Sequence, residues 1–258
     1  MAFLFYRIEV NSDVEKTKPI MWKVVPPLKK RVRIITGSRF NGFPKANLAR
    51  KVLAIFKKEY PDAKAALNFR TPFELLIATI LSAQCTDARV NMVTPGLFRK
   101  FPTPKRFAEA DILELQQEIK STGFYRQKAK SVISSSKAII GEFGGQVPRT
   151  MEQLLTLDGV GRKTANVLLG NAFGIPGIAV DTHVKRLAQR LGFSNEQDPT
   201  KIEHDLMNLF PKEDWTMLCH LLMAHGRKVC IARIPKCEMC IVNKLCPSAF
   251  NFGKREEN

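Results

Sequence analysis

From Pro44 onward, apolar side chains recur three and four positions apart, the spacing that gathers them on one face of a helix. Leu48, Val52, Leu53 and Phe56 share such a face. In Thr71-Pro72-Phe73-Glu74 a capping threonine is followed by a proline at the first helical position and an acidic residue three places on, which predicts a helix to about Ser82. The same period runs through Asp111 to Lys120 and through Gln127 to Phe143. Thr150-Met151-Glu152-Gln153 reads as a second capping box, and Asp198-Pro199 starts a helix that reaches about Phe210. Strand-like alternation is confined to residues 31–36. The expectation is an all-α fold of roughly ten helices, with no internal repeat and no low-complexity segment.

Charge narrows the class of partner. The chain has 41 Lys and Arg against 24 Asp and Glu, a formal net charge of +17. Such an excess calls for a polyanion, with nucleic acid the first candidate and an anionic membrane surface the second. The 258 residues are 45% hydrophobic and 9% aromatic, enough for a sizeable core in one or two domains and too apolar for a disordered chain. No apolar run approaches the length of about eighteen residues that a transmembrane helix needs. The opening stretch Met1 to Arg7 is too short for a secretory signal, so an intracellular location is expected, in the bacterial cytoplasm and nucleoid. In that reducing setting the six cysteines read as ligands or buried thiols, not disulfides. Residues 1–43 differ from the rest: Pro26-Pro27 precedes the basic run Lys29-Lys30-Arg31-Val32-Arg33. This segment reads as a solvated, partly disordered basic extension, with an accessory phosphate-gripping arm as the alternative.

Three stretches carry candidate chemistry. In Leu157-Asp158-Gly159-Val160-Gly161-Arg162-Lys163-Thr164-Ala165 a short helix at about 150–156 runs into Gly-Val-Gly, and a second helix follows at once. Glycines tolerate backbone angles that other residues resist, and the exposed amides of the following helix start make a ready anion site. On its own, Gly-x-Gly serves equally as a tight helix–helix turn, and Lys163 as a solvated lysine. Asp181, in Val180-Asp181-Thr182-His183, sits where an N-cap belongs, ahead of a helix to about Leu191. Cys230, Cys237, Cys240 and Cys246 follow the spacing C-x6-C-x2-C-x5-C, the pattern of a metal site in which zinc is the default by ligand type. Structural zinc sites more often use two C-x2-C pairs, and one is present here. Cys85 and Cys219 read as buried free thiols in helices, and His220 and His225 as core residues.

Together with Leu81-Ser82-Ala83-Gln84-Cys85-Thr86-Asp87, these strings resemble the helix-hairpin-helix DNA glycosylases of the endonuclease III family, over about residues 44–250. The resemblance implies a six-helix barrel lobe at 65–175 and an iron–sulfur cluster lobe formed by 44–64 with 176–258. It implies a bifunctional glycosylase and abasic-site lyase that removes oxidised pyrimidines from double-stranded DNA. Lys163 takes the part of nucleophile and Asp181 of its partner. A lysine must first lose its proton, through desolvation or neighbouring cations such as Arg162. The cysteines become the ligands of a [4Fe–4S] cluster whose loop projects Arg233 and Lys236 at DNA phosphate. The hairpin residues Gly159, Val160, Gly161, Arg162 and Thr164, with His183, are implied DNA contacts. Gln84 and Phe124 become wedges that fill the gap left by a flipped nucleotide, a core aromatic being the alternative for Phe124. Asp158 departs from the proline usual in the hairpin, and Phe124 from an aliphatic wedge. The expected partner is double-stranded DNA with damaged bases or abasic sites, bound by a monomer away from membranes. Two rivals remain: a relative of other lesion or mismatch specificity, which an intact Lys163 argues against if purely monofunctional, and a non-catalytic DNA-binding relative.

Overall fold

A computed structural model describes residues 45–252. The expectations for segment 1–43 and for the alternation at 31–36 lie outside the described residues. Within them the chain forms helices and no strand. In order these are α1 (Lys45–Glu59), α2 (Pro72–Ser82), α3 (Asp87–Lys100), α4 (Pro104–Ala108), α5 (Ile112–Ile119), α6 (Tyr125–Phe143), α7 (Met151–Leu154), α8 (Arg162–Phe173), α9 (Thr182–Arg190), α10 (Pro199–Leu209) and α11 (Trp215–Lys228).

Short polar side chains set most of the starts. Thr71, Thr86, Thr103, Asp111, Thr150, Asp181 and Asp198 each accept a backbone N–H from the first turn they precede. The Thr71 box differs from the expected reciprocal pair in one bond: Glu74 reaches past the cap to the N–H of Arg70, at 2.7 Å. Helix α6 begins two residues before the periodicity indicates, because Phe124 serves as its N-cap in a left-handed conformation.

Two apolar cores result. The first is built around α2, whose residues from Phe73 to Leu81 are all buried except Glu74. Such a helix, apolar on nearly every side, belongs at the centre of a bundle. Phe107 of α4 closes one end of this core against Phe73, Phe98 and Phe101. The second core joins α1 to α9, α10 and α11 through Phe56, Leu187, Leu206 and Leu222. The chain enters the second core with α1, leaves for the first, and returns after α8. The returning segment carries the Asp181 cap, and α8 carries Lys163 at its start.

The hairpin between α7 and α8 is seated on α6. Ser135 Oγ donates to the carbonyl of Asp158 at 2.7 Å. At Gly159, φ is +78°, and a Cβ there would stand 3.0 Å from Cβ of Ser131. The small face of α6 is thus what lets the turn sit so close. Gly159→Ala combines left-handed strain with overpacking, and it is expected to destabilise the protein by about 2–3 kcal/mol. Thermal melting should fall by roughly 4–12 °C; an unchanged melting temperature would contradict this packing.

Candidate active site

A cleft of about 560 Å³ runs between the two cores, with Lys163 and Asp181 both in its lining. Lys163 is the second residue of α8 and is exposed. Asp181 is half-buried, and its carboxylate accepts the Val184 N–H at 2.7 Å, which locks it at the head of α9. One polypeptide turn therefore presents an amine and another a fixed carboxylate to the same space.

At the hairpin the structure corrects several expectations. Gly159 requires its left-handed backbone, but Gly161 does not, since its φ is −95° and ψ 177°. Gly161 matters for what it lacks: no side chain caps α8, and nothing lies within 4 Å of where its Cβ would be. The first-turn amides of α8 consequently have neither an intrahelical partner nor a side-chain cap. The Val160 N–H is spent inside the turn on Leu157 O at 3.1 Å, and its side chain is buried in the first core. Arg162 is not a free cation. It grips the buried carboxylate of Glu203 through Nε (2.7 Å) and Nη2 (2.9 Å), bolting the hairpin to α10. This contact holds the Arg162 pKa above the ordinary value. Thr164 is half-buried in the first turn of α8. Asp158 contributes to the turn through its carbonyl, which a proline supplies equally well, and its side chain is exposed.

Across the cleft, His183 is half-buried, and Arg186 donates to its Nδ1 at 3.0 Å. The ring proton then sits on Nε2. Burial, helped by Arg186 and Arg227 and opposed by Asp181, holds this histidine's pKa below the usual value. Cys219 is buried as expected, its thiol pushed up to about 12 by burial. Cys85 departs from expectation: it lies half-buried in the loop after α2, at the cleft, not inside a helix.

Several cleft residues escape sequence reasoning. Arg227 of α11 and Asp87 of α3 pair at 2.6 Å across the two cores. His220 of α11 bonds Asn171 of α8 through Nε2 at 2.8 Å, and its buried Nδ1 has no partner. Each pair joins distant positions in helices, so local pattern carries no signal of it.

Gln84 and Phe124 sit on two neighbouring loops of the first core. Both are exposed, Phe124 at 67%, which excludes the core alternative. Both also adopt left-handed backbone, with φ of 52° and 48°. Non-glycine residues held this way store strain, a mark of functional loops.

The four cysteines line one apolar cavity beside Leu187 and Val242. Among the described residues, no three Cys, His, Asp or Glu side chains converge as one metal ion requires. Four cysteines around one cavity make an all-sulfur donor set, the chemistry that suits a soft metal centre. Burial raises the pKa of Cys240 and pushes Cys246 up to about 11, with the neighbouring thiols adding to both. A cationic core would relieve that cost. The cavity is tied to α9: Arg190 donates to Cys230 Sγ at 3.3 Å and to Ile231 O at 2.8 Å, and Arg186 to Cys230 O at 3.2 Å. His225 lies between Tyr60 (2.8 Å) and Cys240 Sγ (3.5 Å). Arg233 and Lys236 are exposed on the segment between the first two cysteines.

The chain is similar to known DNA repair proteins. A family model described as HhH-GPD superfamily base excision DNA repair protein matches residues 77–212. Endonuclease III of Synechocystis sp. is 53% identical over 206 residues, which cover 80% of this chain and 94% of that one. Endonuclease III of Bacillus subtilis is 49% identical over 197 residues, 76% of this chain and 90% of the other. Among solved structures, a trapped Endonuclease III–DNA covalent intermediate matches with a TM-score of 0.76 at 45% identity, covering 79% of this chain and 96% of that one.

Proposed function

The chain belongs to the HhH-GPD superfamily of base excision DNA repair proteins and, within it, to the endonuclease III family; from that premise we propose how it works as a bifunctional DNA glycosylase and abasic-site lyase. The observation that carries the reading is the presence of Lys163 and Asp181 in one cleft beside the uncapped start of α8.

The free amides of α8 and the positive end of that helix receive a DNA phosphate without reading sequence. Gly161 leaves the approach open. The damaged nucleotide turns out of the stack into the cleft, and Gln84 and Phe124 occupy the space it leaves. The neutral amine of Lys163 attacks C1′ of the sugar as the C1′–base bond breaks, and the base leaves carrying a proton. Asp181, held by Val184, faces the positive charge that develops on the sugar and relays protons. The C1′ adduct opens to an iminium. Loss of a C2′ proton then expels the 3′ phosphate by β-elimination, and water releases Lys163. His183 offers an N–H to the cleft. Arg162 acts through Glu203, as a strut that fixes the direction of α8.

We assign the cysteine cavity to a [4Fe–4S] cluster held by Cys230, Cys237, Cys240 and Cys246. Bound there, the cluster supplies a crosslink of the chain, not a reacting centre. The residues around it then act by position: Arg233 and Lys236 project to phosphate, while Arg186 and Arg190 brace α9 and hence Asp181. DNA as substrate and thiolate ligands that must stay reduced both suit the inside of a cell, and the compartment proposed is a bacterial cytoplasm. Its substrate is double-stranded DNA with oxidised pyrimidines or abasic sites, acted on by a monomer.

A panel of duplexes, each with one lesion, tests the function. Oxidised pyrimidines should give base release followed by strand cleavage with a β-elimination end. Excision confined to mismatched normal bases would overturn the substrate assignment. Binding without any cleavage would overturn catalysis.

A further inference from the structure

Lys128 is the fourth residue of α6 and is buried, at 5% exposure. A buried lysine ordinarily pairs with a carboxylate. This one is met by backbone carbonyls instead: Nζ donates to Leu81 O and to Thr122 O, each at 2.8 Å. Those oxygens lie at the C-terminal end of α2 and in the short helical turn Lys120–Thr122, where the backbone dipole is negative. Burial holds the lysine's pKa below the usual value.

A methionine would fill the same space with no ammonium to desolvate. It would not fix two carbonyls at one distance. Leu81 lies three residues before Gln84, and Thr122 two before Phe124. The backbone N–H of Lys128 also binds Phe124 O at 3.1 Å. One residue therefore grips the roots of both exposed loops whose tips are left-handed. Strained conformations of this kind persist only where the surroundings over-determine them.

We propose that Lys128 is a positioning residue for base extrusion, holding the Gln84 and Phe124 loops at a fixed separation so that both side chains enter the duplex together. The proposal rests on the reading of these two residues as wedges. It places Lys128 in the extrusion step, away from Lys163 and the elimination chemistry. An abasic site has no base to unstack, so its cleavage depends less on paired wedges.

The test uses the full chain under single-turnover conditions, well below each variant's melting temperature. Excision of a base-paired oxidised pyrimidine and cleavage at an abasic site are measured in parallel, with a fluorescent base analogue beside the lesion reporting unstacking. Lys128→Met is expected to slow excision and the fluorescence change by about tenfold, and abasic cleavage by less than about threefold. Phe124→Ala should show the same split, and the double variant should be little worse than either single one. If Lys128→Met does not fold, Lys128→Arg carries the test, because it keeps the charge while its longer head displaces the two carbonyls. A Phe124→Ala variant with no split would overturn the wedge reading and this proposal with it. A split in Phe124→Ala alone, with both activities of the Lys128 variants falling in step with stability, would leave the wedges standing and reduce Lys128 to a structural lysine.

Discussion

Lys163→Ala abolishes strand cleavage at abasic sites, by about three orders of magnitude or more, while leaving the fold and most of the DNA affinity in place. The size follows from its proposed part as the group that bonds to the sugar. Three orders correspond to about 4 kcal/mol of transition-state stabilisation, a modest value for a covalent nucleophile. The selectivity follows from the structure. Lys163 is exposed, so its loss touches no core and should alter stability by less than about 0.5 kcal/mol. The amides at the start of α8 and the Arg162–Glu203 strut do not depend on its side chain. Duplex affinity measured by titration should therefore change only severalfold. Any residual base release, with water in place of the amine, should leave the strand intact. A Lys163→Ala protein that still cleaves abasic DNA at the parental rate would remove the lysine from the mechanism.

The second large effect belongs to the cysteines. As purified, the protein should carry about four irons per chain and absorb broadly near about 400 nm. Cys237→Ala should lose both signals. The loss travels beyond the cavity, because Arg190 is bonded to Cys230 Sγ and the adjoining carbonyls, and Arg186 to Cys230 O. Both arginines stand on α9, the helix that Asp181 caps. A lost metal centre that costs about 5 kcal/mol lowers melting by roughly 10–20 °C in a chain of this size. Base excision and strand cleavage should fall together, unlike the split expected at Phe124. One zinc and no iron per chain would overturn the assignment, as would a Cys237→Ala protein of unchanged metal content and melting temperature.

Legibility in the sequence followed the range of the interaction. The starts at Thr71, Thr150, Asp181 and Asp198 were readable because a cap and the amide it accepts lie three residues apart or fewer. The apolar face of α1 was readable for the same reason, since helical period is local. Helix α3 gives no clean period because Pro95 and Gly96 interrupt it, and α4 has only five residues. The family resemblance named Lys163 and Asp181, but spacing alone says only that one is a lysine after a turn and the other a cap. Their meeting in one cleft is tertiary. So is the capture of Arg162 by Glu203, 41 positions away, which turned an expected free cation into a strut. Asp87 and Arg227 meet over 140 positions, and Lys128 reaches Leu81 over 47. At Gly161 the sequence offers two uses, an unusual backbone angle and a bare helix start, and with φ at −95° only the second applies.

The covalent step is the core of the account, and trapping it is the most direct measurement. Wild-type protein is mixed with an abasic duplex, reduced with borohydride, digested and mapped by mass spectrometry. A single DNA adduct is expected, a secondary amine on Lys163, absent from the Lys163→Ala protein. An adduct on another amine in the wild-type protein, or no adduct under conditions in which the strand is cut, would contradict it.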